Sequence, residues 1–335
     1  MTHRISIDSA EVAFDCMPGQ SVLDAALRAG IELPYSCRKG VCGNCAGSIA
    51  AGTVTGIKGA AIRSDACTSD QVLYCMCTPA ADVVLRPKSW KRLDPSARKT
   101  FTARVYNNEL AAPDVSVLRL RLPAGQRARF QAGQYLQVLL DDGSTRSYSM
   151  ANPPHESDGV ILHIRHVPGG RFSAQVAQLI PGDTLQVELP FGRVALRADD
   201  ARPIVFVAGG TGFAPVKSIL DDMIKHRVTR PTTLIWGARK ADGLYLRPAV
   251  ERWQKQWPDF RFIAALSDTL DEAAFAGRAD QALRAACPDL TGHVVYCCGS
   301  PPMVAAVQSV ATESGVAAED FHADVFVPGP STMPA

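Results

Sequence analysis

Ten cysteines stand in the 335-residue chain, and six of them fall between Cys37 and Cys77. Cys37, Cys42 and Cys45 read C-x4-C-x2-C, a spacing that brings three thiolates onto a pair of bridged irons from one tight loop. Glycines at 40 and 43 let such a loop fold closely enough for backbone N–H groups to face sulfur. A fourth thiolate has to come from further along. Cys75, separated from Cys45 by 29 residues and directly after the apolar pair Leu73-Tyr74, is the choice, with Cys77 left open as the alternative. A structural zinc held by Cys42, Cys45, Cys75 and Cys77 is the competing reading. It leaves Cys37 unused and the glycines unexplained. No ligand role is assigned to Cys16 or Cys67. The chemistry expected of the cluster is one-electron transfer at a [2Fe-2S] centre.

A second constellation begins at RSYSMANPP, residues 146–154. Arg146 is a fork-shaped donor suited to a pyrophosphate. Tyr148 can pack its ring on an isoalloxazine face, Ser149 can place a polar group near flavin N5, and Ser147 lies between Arg146 and Tyr148 on the same strand. Downstream, HIRHVPGGRFS offers His163 and Arg165 on a strand. A glycine turn follows, where Gly170, Arg171, Phe172 and Ser173 open a helix with N–H groups free for phosphate. Either stretch alone would suit an edge strand with a solvated arginine, a core tyrosine and an ordinary turn. Together and in this order they indicate a site for FAD.

The third constellation is PIVFVAGGTGFAP, an apolar strand followed by a glycine turn with Gly210, Thr211 and Gly212. It is not the G-x-G-x-x-G of a Rossmann fold, because Pro215 stands where the third small residue would be. Near the end of the chain, CCGSPP puts Cys298 and Gly299 at the C-terminal end of a strand, where ligands of open α/β sheets bind. Buried cysteines acting as small hydrophobes are the plain alternative. Arg239 and Lys240 follow another strand. Such cations suit the 2′-phosphate of NADPH, and no acid stands there to favour the ribose of NADH. Phe326, in HADVF, is a candidate to cover the other flavin face.

The elements that must position these residues come in three textures. The first segment reads as small α+β: a strand at 4–7, a helix capped by Ser21 and stopped at Gly30, the cysteine loop, then strand-like pieces near 46–56, 71–74 and 82–85. From 101 to about 198, short strands separated by Gly- and Pro-containing turns predict a small antiparallel β-barrel. From about 199, apolar strands alternate with helical stretches, the pattern of an α/β domain with a parallel sheet. The expected domains are 1–90, a linker at 91–99, 100–198 and 199–335.

Net charge is +2, and its excess sits in residues 88–99, where five basic residues face one acidic. One short basic stretch is a poor match to a nucleic-acid-binding face. It suits a linker that touches a neighbouring domain or partner. No run approaches the ~18 apolar residues of a membrane helix, and no signal-peptide pattern opens the chain. A cytoplasmic location is expected.

All three constellations, from SCRKGVCGNC through RSYSMANPPHESDG and VAGGTGFAP to CCGSPPM and FHADVF, resemble the ferredoxin-NADP⁺ reductase superfamily. The likeness is to the branch with an N-terminal plant-type ferredoxin domain, to which the reductase components of ring-hydroxylating dioxygenases and monooxygenases belong. The resemblance implies a multidomain chain: a β-grasp-like ferredoxin domain, an FAD-binding β-barrel and an NAD(P)-binding α/β domain. It implies that Cys37, Cys42, Cys45 and Cys75 ligate iron, that Arg146, Tyr148 and Ser149 contact FAD, and that Thr211 and Cys298 line the nicotinamide pocket. Ser149, Thr211 and Cys298 are then the residues nearest the chemistry. Ser300 departs from the family's CGPPPM pattern. Nine residues follow Phe326, which sets this chain apart from relatives ending in an aromatic cap.

The implied activity takes a hydride from NADPH or NADH onto FAD and passes single electrons through the cluster to a terminal oxygenase. A donor to a dehydrase acting on CDP-6-deoxy-sugars is the alternative partner reading, and a redox sensor or binding protein is the non-enzyme one.

Overall fold

The computed structural model describes residues 2–327 apart from 36, 37, 39, 41, 42, 64–66, 95–97, 193–199, 229, 269 and 270. Two compact units divide the chain, Met1–Ala97 and Arg98–Ala335.

The first unit is built on a five-stranded sheet in the order Ala13–Cys16, His3–Ile7, Val83–Pro87, Ala46–Ala51, Gln71–Leu73. His3–Ile7 and Val83–Pro87 run parallel; the other pairs are antiparallel. Helix Val22–Arg28 lies against this sheet because Val22, Leu23, Ala25 and Ala26 form one apolar face. Its start is fixed by Ser21, whose hydroxyl accepts from Asp24 N at 2.9 Å. Its exit is fixed by Gly30 at φ +74°. Lys91–Arg92, inside the segment read as a linker, pairs antiparallel with Ile31–Glu32. Leu93 N also donates to Gly30 O at 2.7 Å, and the Lys91 ammonium lies 3.5 Å from Glu32. The basic stretch therefore begins as an edge ladder of the first unit.

The second unit holds two layers of different logic. Six antiparallel strands come first, in the order Thr145–Ser149, Tyr135–Leu139, Thr184–Phe191, Lys99–Ala112, Val115–Arg121, Gly159–Arg165. A bridge between Met150 and Leu162 joins the two outer strands and closes the barrel. Inward alternation puts Phe101, Ala103, Val105, Leu118, Leu120, Leu136, Val138 and Leu162 in one core.

Six parallel strands follow, in the order Phe275–Ala276, Phe260–Leu266, Thr232–Ala238, Ile204–Gly209, Val294–Gly299, Phe321–Val325. The chain steps outward from Ile204–Gly209 on one side and then returns to Val294–Gly299 on the other. The switch point thus lies between these two strands, the place where an open parallel sheet leaves a crevice at its carboxyl ends. At the opposite end of the sheet Arg202 forks onto Asp320 at 2.6 and 2.7 Å and onto Asp200 at 2.8 and 3.0 Å. That clamp holds the sheet where no ligand is expected.

Barrel and parallel-sheet domain meet through helix Phe213–Lys225. Ser218 Oγ donates to Asn152 O at 2.7 Å, and Asn152 in turn accepts from Ile161 N at 2.8 Å. The NPP turn that follows the RSYS strand is thereby anchored on both sides.

Candidate functional site

In the cysteine loop, the sulfurs of Cys45 and Cys75 stand 3.2 Å apart and are buried. Cys75 is carried by a turn, closed by Met76 N donating to Leu73 O at 2.8 Å, and Tyr74 N binds Cys45 O at 3.1 Å. These backbone bonds aim both thiols at the same point. Gly40 and Gly43 have φ +76° and +71°, the left-handed region that favours glycine. A Cβ at Gly40 would also come within 2.7 Å of the Met76 side chain. Cys77, by contrast, is fully buried in strand Cys77–Pro79, and burial pushes its thiol up to about 12. Cys16 is spent locally, with Sγ 3.4 Å from Gln20 O. Cys37 and Cys42 lie outside the described residues. Two convergent buried sulfurs beside a glycine-bearing loop fit a thiolate-held cluster.

In the barrel, strand Thr145–Ser149 alternates its side chains between the two faces. Tyr148 packs against Phe172 with ring centroids 5.6 Å apart, which brings the RSYS strand and the GGRFS turn together. Burial pushes the Tyr148 phenol up, so it stays neutral. Arg146 is half-buried, its Nη1 2.8 Å from Thr145 O. Arg171 forms an ion pair with Asp142. The helix expected after Gly170 is a single turn, Ser173–Val176, and Ser173 Oγ accepts from Val167 N at 3.2 Å, folding the turn back on itself. Ser147 is exposed on the same strand.

His163 and Arg165 lie on strand Gly159–Arg165 but reach the nucleotide domain. His163 Nδ1 is 3.0 Å from Tyr245 OH. A Cβ on Gly210 would come within 2.9 Å of Arg165 Nη2.

In the crevice of the parallel sheet, Gly210–Gly212 forms one 3₁₀ turn directly after Ile204–Gly209. Trp236 Nε1 donates to Gly210 O at 3.0 Å and holds the turn. A Cβ at Gly212 would meet Cys298 O at 2.1 Å; only glycine allows this close approach to the neighbouring strand. Cys298 pairs in register with Ala208 and Asp324. Burial pushes its thiol well up, and the Asp324 carboxylate adds to the effect. Asp324 is also buried and accepts a long, weak hydrogen bond of 3.4 Å from Ser149 Oγ. Phe326 N donates to Gly299 O at 2.8 Å, which brings the backbone of Phe326 to the same crevice. Arg239 and Lys240 are exposed at the carboxyl end of Thr232–Ala238.

The structure thus gathers Ser149, Cys298, Thr211 and Gly299 at one crevice. Two residues there escaped sequence reasoning. Asp324 carried a faint signal, as an acid among the apolar residues of HADVF. Tyr245 carried none.

Three domain families match in chain order: the 2Fe-2S iron-sulfur cluster binding domain over residues 5–80, the oxidoreductase FAD-binding domain over 102–196 and the oxidoreductase NAD-binding domain over 206–309. The chain is 61% identical over 333 residues, 99% of each protein, to reductase component 1 of terephthalate 1,2-dioxygenase from a Comamonas species. It is 31% identical to a CDP-6-deoxy-L-threo-D-glycero-4-hexulose-3-dehydrase reductase of Yersinia pseudotuberculosis, over 98% of this chain and 99% of that one. Among solved structures, an Amycolatopsis cytochrome P450 reductase superposes with a TM-score of 0.78 at 30% identity, covering 97% of this chain and 99% of that chain. Phthalate dioxygenase reductase shares the fold at a TM-score of 0.55 and 21% identity, over 68% of each chain.

The chain belongs to the ferredoxin-NADP⁺ reductase superfamily, in the branch of iron–sulfur flavoprotein reductases with an N-terminal plant-type ferredoxin domain. It is an NAD(P)H-dependent oxidoreductase that uses FAD and a [2Fe-2S] cluster, and the zinc reading of its cysteines falls. When bound, these groups convert one hydride into two single-electron deliveries. No helix among the described residues is long and apolar enough to cross a membrane.

Proposed function

We propose that this protein is the reductase component of a terephthalate 1,2-dioxygenase, drawing electrons from NAD(P)H and delivering them to a separate terminal oxygenase in the cytoplasm. The observation that carries this reading is the 61% identity along 99% of both chains. Relatives serving the dehydrase reaction stand at 31%, and no feature of the site favours that partner.

In this reading Cys37, Cys42, Cys45 and Cys75 hold the irons. Arg146 and the Gly170–Ser173 turn hold the phosphate side of FAD, and Tyr148 packs on its ring system. The Gly210–Gly212 turn takes the dinucleotide pyrophosphate, whose negative charge suits the backbone N–H groups of such a turn. Thr211 and Cys298 border the nicotinamide. Cys298 acts as a neutral thiol, shaped to fit and not to donate a charge. Arg239 and Lys240 face solvent with no acid on their own strand end, which supports NADPH over NADH.

The test combines the purified protein with the terminal oxygenase, terephthalate, oxygen and each nicotinamide in turn. Terephthalate-dependent oxygen uptake, matched one-to-one by nicotinamide oxidation, is expected. Steady reduction of dyes or cytochrome c with no oxygen uptake by the oxygenase would overturn the partner assignment while leaving the reductase chemistry intact.

A further inference from the structure

Four aromatic rings meet where the flavin barrel joins the nucleotide domain. Phe213 follows the glycine turn directly and lies stacked on Trp236, with centroids 3.8 Å apart. Tyr245 stands edge-on to Trp236 at 5.3 Å and to Phe213 at 6.4 Å. The barrel contributes His163, edge-on to Tyr245 at 5.4 Å and parallel to Phe213 at 6.4 Å. One directional bond crosses this cluster, the 3.0 Å hydrogen bond between His163 Nδ1 and Tyr245 OH.

His163 is poorly explained by stability alone. It is 5% exposed, and its Nε2 has no hydrogen-bond partner among the described residues. Leucine at 163 together with phenylalanine at 245 would fill the same space with no polar atom left over. What the imidazole adds is direction. Stacked and edge-on rings tolerate sliding, whereas a hydrogen bond is lost within a fraction of an ångström. Trp236 already grips the glycine turn through Gly210 O, so any slide of the cluster moves that turn.

We infer that the His163–Tyr245 hydrogen bond fixes the nucleotide-binding turn against the flavin barrel, making both side chains positioning residues for hydride transfer. Neither touches the reacting atoms; both act through Trp236 and the turn. Burial keeps the imidazole neutral down to a pH of about 3, so the tie persists through the neutral range. The inference rests on the reading that the Gly210–Gly212 turn takes the dinucleotide.

The test uses FAD-loaded protein and the variants Tyr245→Phe, His163→Leu and His163→Gln. Tyr245→Phe keeps every ring and removes only the hydroxyl. Hydrogen exchange without nucleotide should quicken about 10-fold at residues 210–213 and 241–247 in Tyr245→Phe and His163→Leu, through local opening. Anaerobic single-turnover flavin reduction at saturating nucleotide should slow about 10-fold, because hydride transfer is sensitive to small misplacement. Nucleotide affinity should change less than about twofold, since no binding group is lost. His163→Gln, which keeps a bonding group, should recover most of both effects. Faster exchange with an unchanged limiting reduction rate would make the bond a mere brace and overturn the inference, as would no change in either. Added NADP⁺ should protect amides 210–212 in the wild type; absence of that protection overturns the site reading and the inference together.

Discussion

Two sets of cysteines occupy opposite kinds of ground in this molecule. Cys45 and Cys75 sit where the backbone turns, their sulfurs 3.2 Å apart, beside glycines in the left-handed region. Cys297 and Cys298 sit within a central parallel strand, 0% and 1% exposed, where burial pushes both thiols up. The first pair has convergent sulfurs and neighbouring backbone that can stabilise thiolates. The second lies within a strand where burial outweighs the one backbone hydrogen bond Cys298 receives from Asp324, and a charge there would lack solvation. In the proposed reading, one residue type serves as metal ligand in one place and as a neutral spacer beside a ligand crevice in the other. Backbone shape makes the difference, not cysteine's own chemistry.

The comparison breaks most visibly at Cys75. Cys75→Ser should abolish bound iron and acid-labile sulfide, and with them electron delivery to cytochrome c, while flavin-level reduction of ferricyanide survives. Cys77→Ser should keep its iron, because Cys77 is committed to the strand Cys77–Pro79. Iron analysis of the two variants side by side checks the assignment. Iron lost from Cys77→Ser and retained by Cys75→Ser would reverse it.

Gly212→Ala attacks the second setting. Its Cβ would stand 2.1 Å from Cys298 O and 2.7 Å from Cys298 C, both backbone atoms that cannot swing aside. Overpacking of this kind costs about 1–3 kcal/mol, and displacement of the turn should slow nicotinamide-dependent flavin reduction roughly 10- to 100-fold. Thermal unfolding and stopped-flow absorbance measure the two effects separately. Cys298→Ala is the milder probe. Removing a neutral thiol opens a small void without straining the strand. Flavin reduction should fall about 10-fold through loss of orientation, with FAD content unchanged. A rate that falls only above neutral pH would show instead that the thiol ionises.

How much of this was legible in the sequence follows from the range of the contacts involved. The cysteine loop, the Ser21 cap and the Gly210–Gly212 turn are local patterns, readable from spacing because the backbone demand and the residue lie within a few positions. The strand Lys91–Arg92 was not readable, since two basic residues signal a ladder only once Ile31–Glu32 is beside them. Asp324 and Ser149 are 175 residues apart, and Tyr245 and His163 are 82 apart; only the packing of barrel on sheet introduces them. The helix expected after Gly170 is one turn long because Pro181 and the left-handed Gly182 soon follow it, while the bond from Val167 N to Ser173 Oγ is one that residue type permits but does not announce.

His163 extends the contrast from thiols to imidazole, and it does so through acid. Its pKa is held down to about 3 by burial, below the ordinary value of about 6.5. The unfolded chain therefore binds a proton that the folded chain refuses, and stability rises with pH wherever this difference holds. The stabilising contribution is complete above about pH 6.5 and is lost progressively as pH falls toward 3, with a limiting slope of about 1.4 kcal/mol per pH unit. Carboxylates such as Asp200 and Asp320, held low chiefly by hydrogen bonds from Arg202, add slope only near and below their own ordinary range of about 4. Between pH 6.5 and 4.5 the histidine term stands apart. Denaturant unfolding of wild type and His163→Leu at half-unit steps should give converging stabilities as the pH drops, the variant being the flatter of the two. Parallel curves would mean that the imidazole is protonated in the folded protein, and that the ground around it is as wet as that of an ordinary surface histidine.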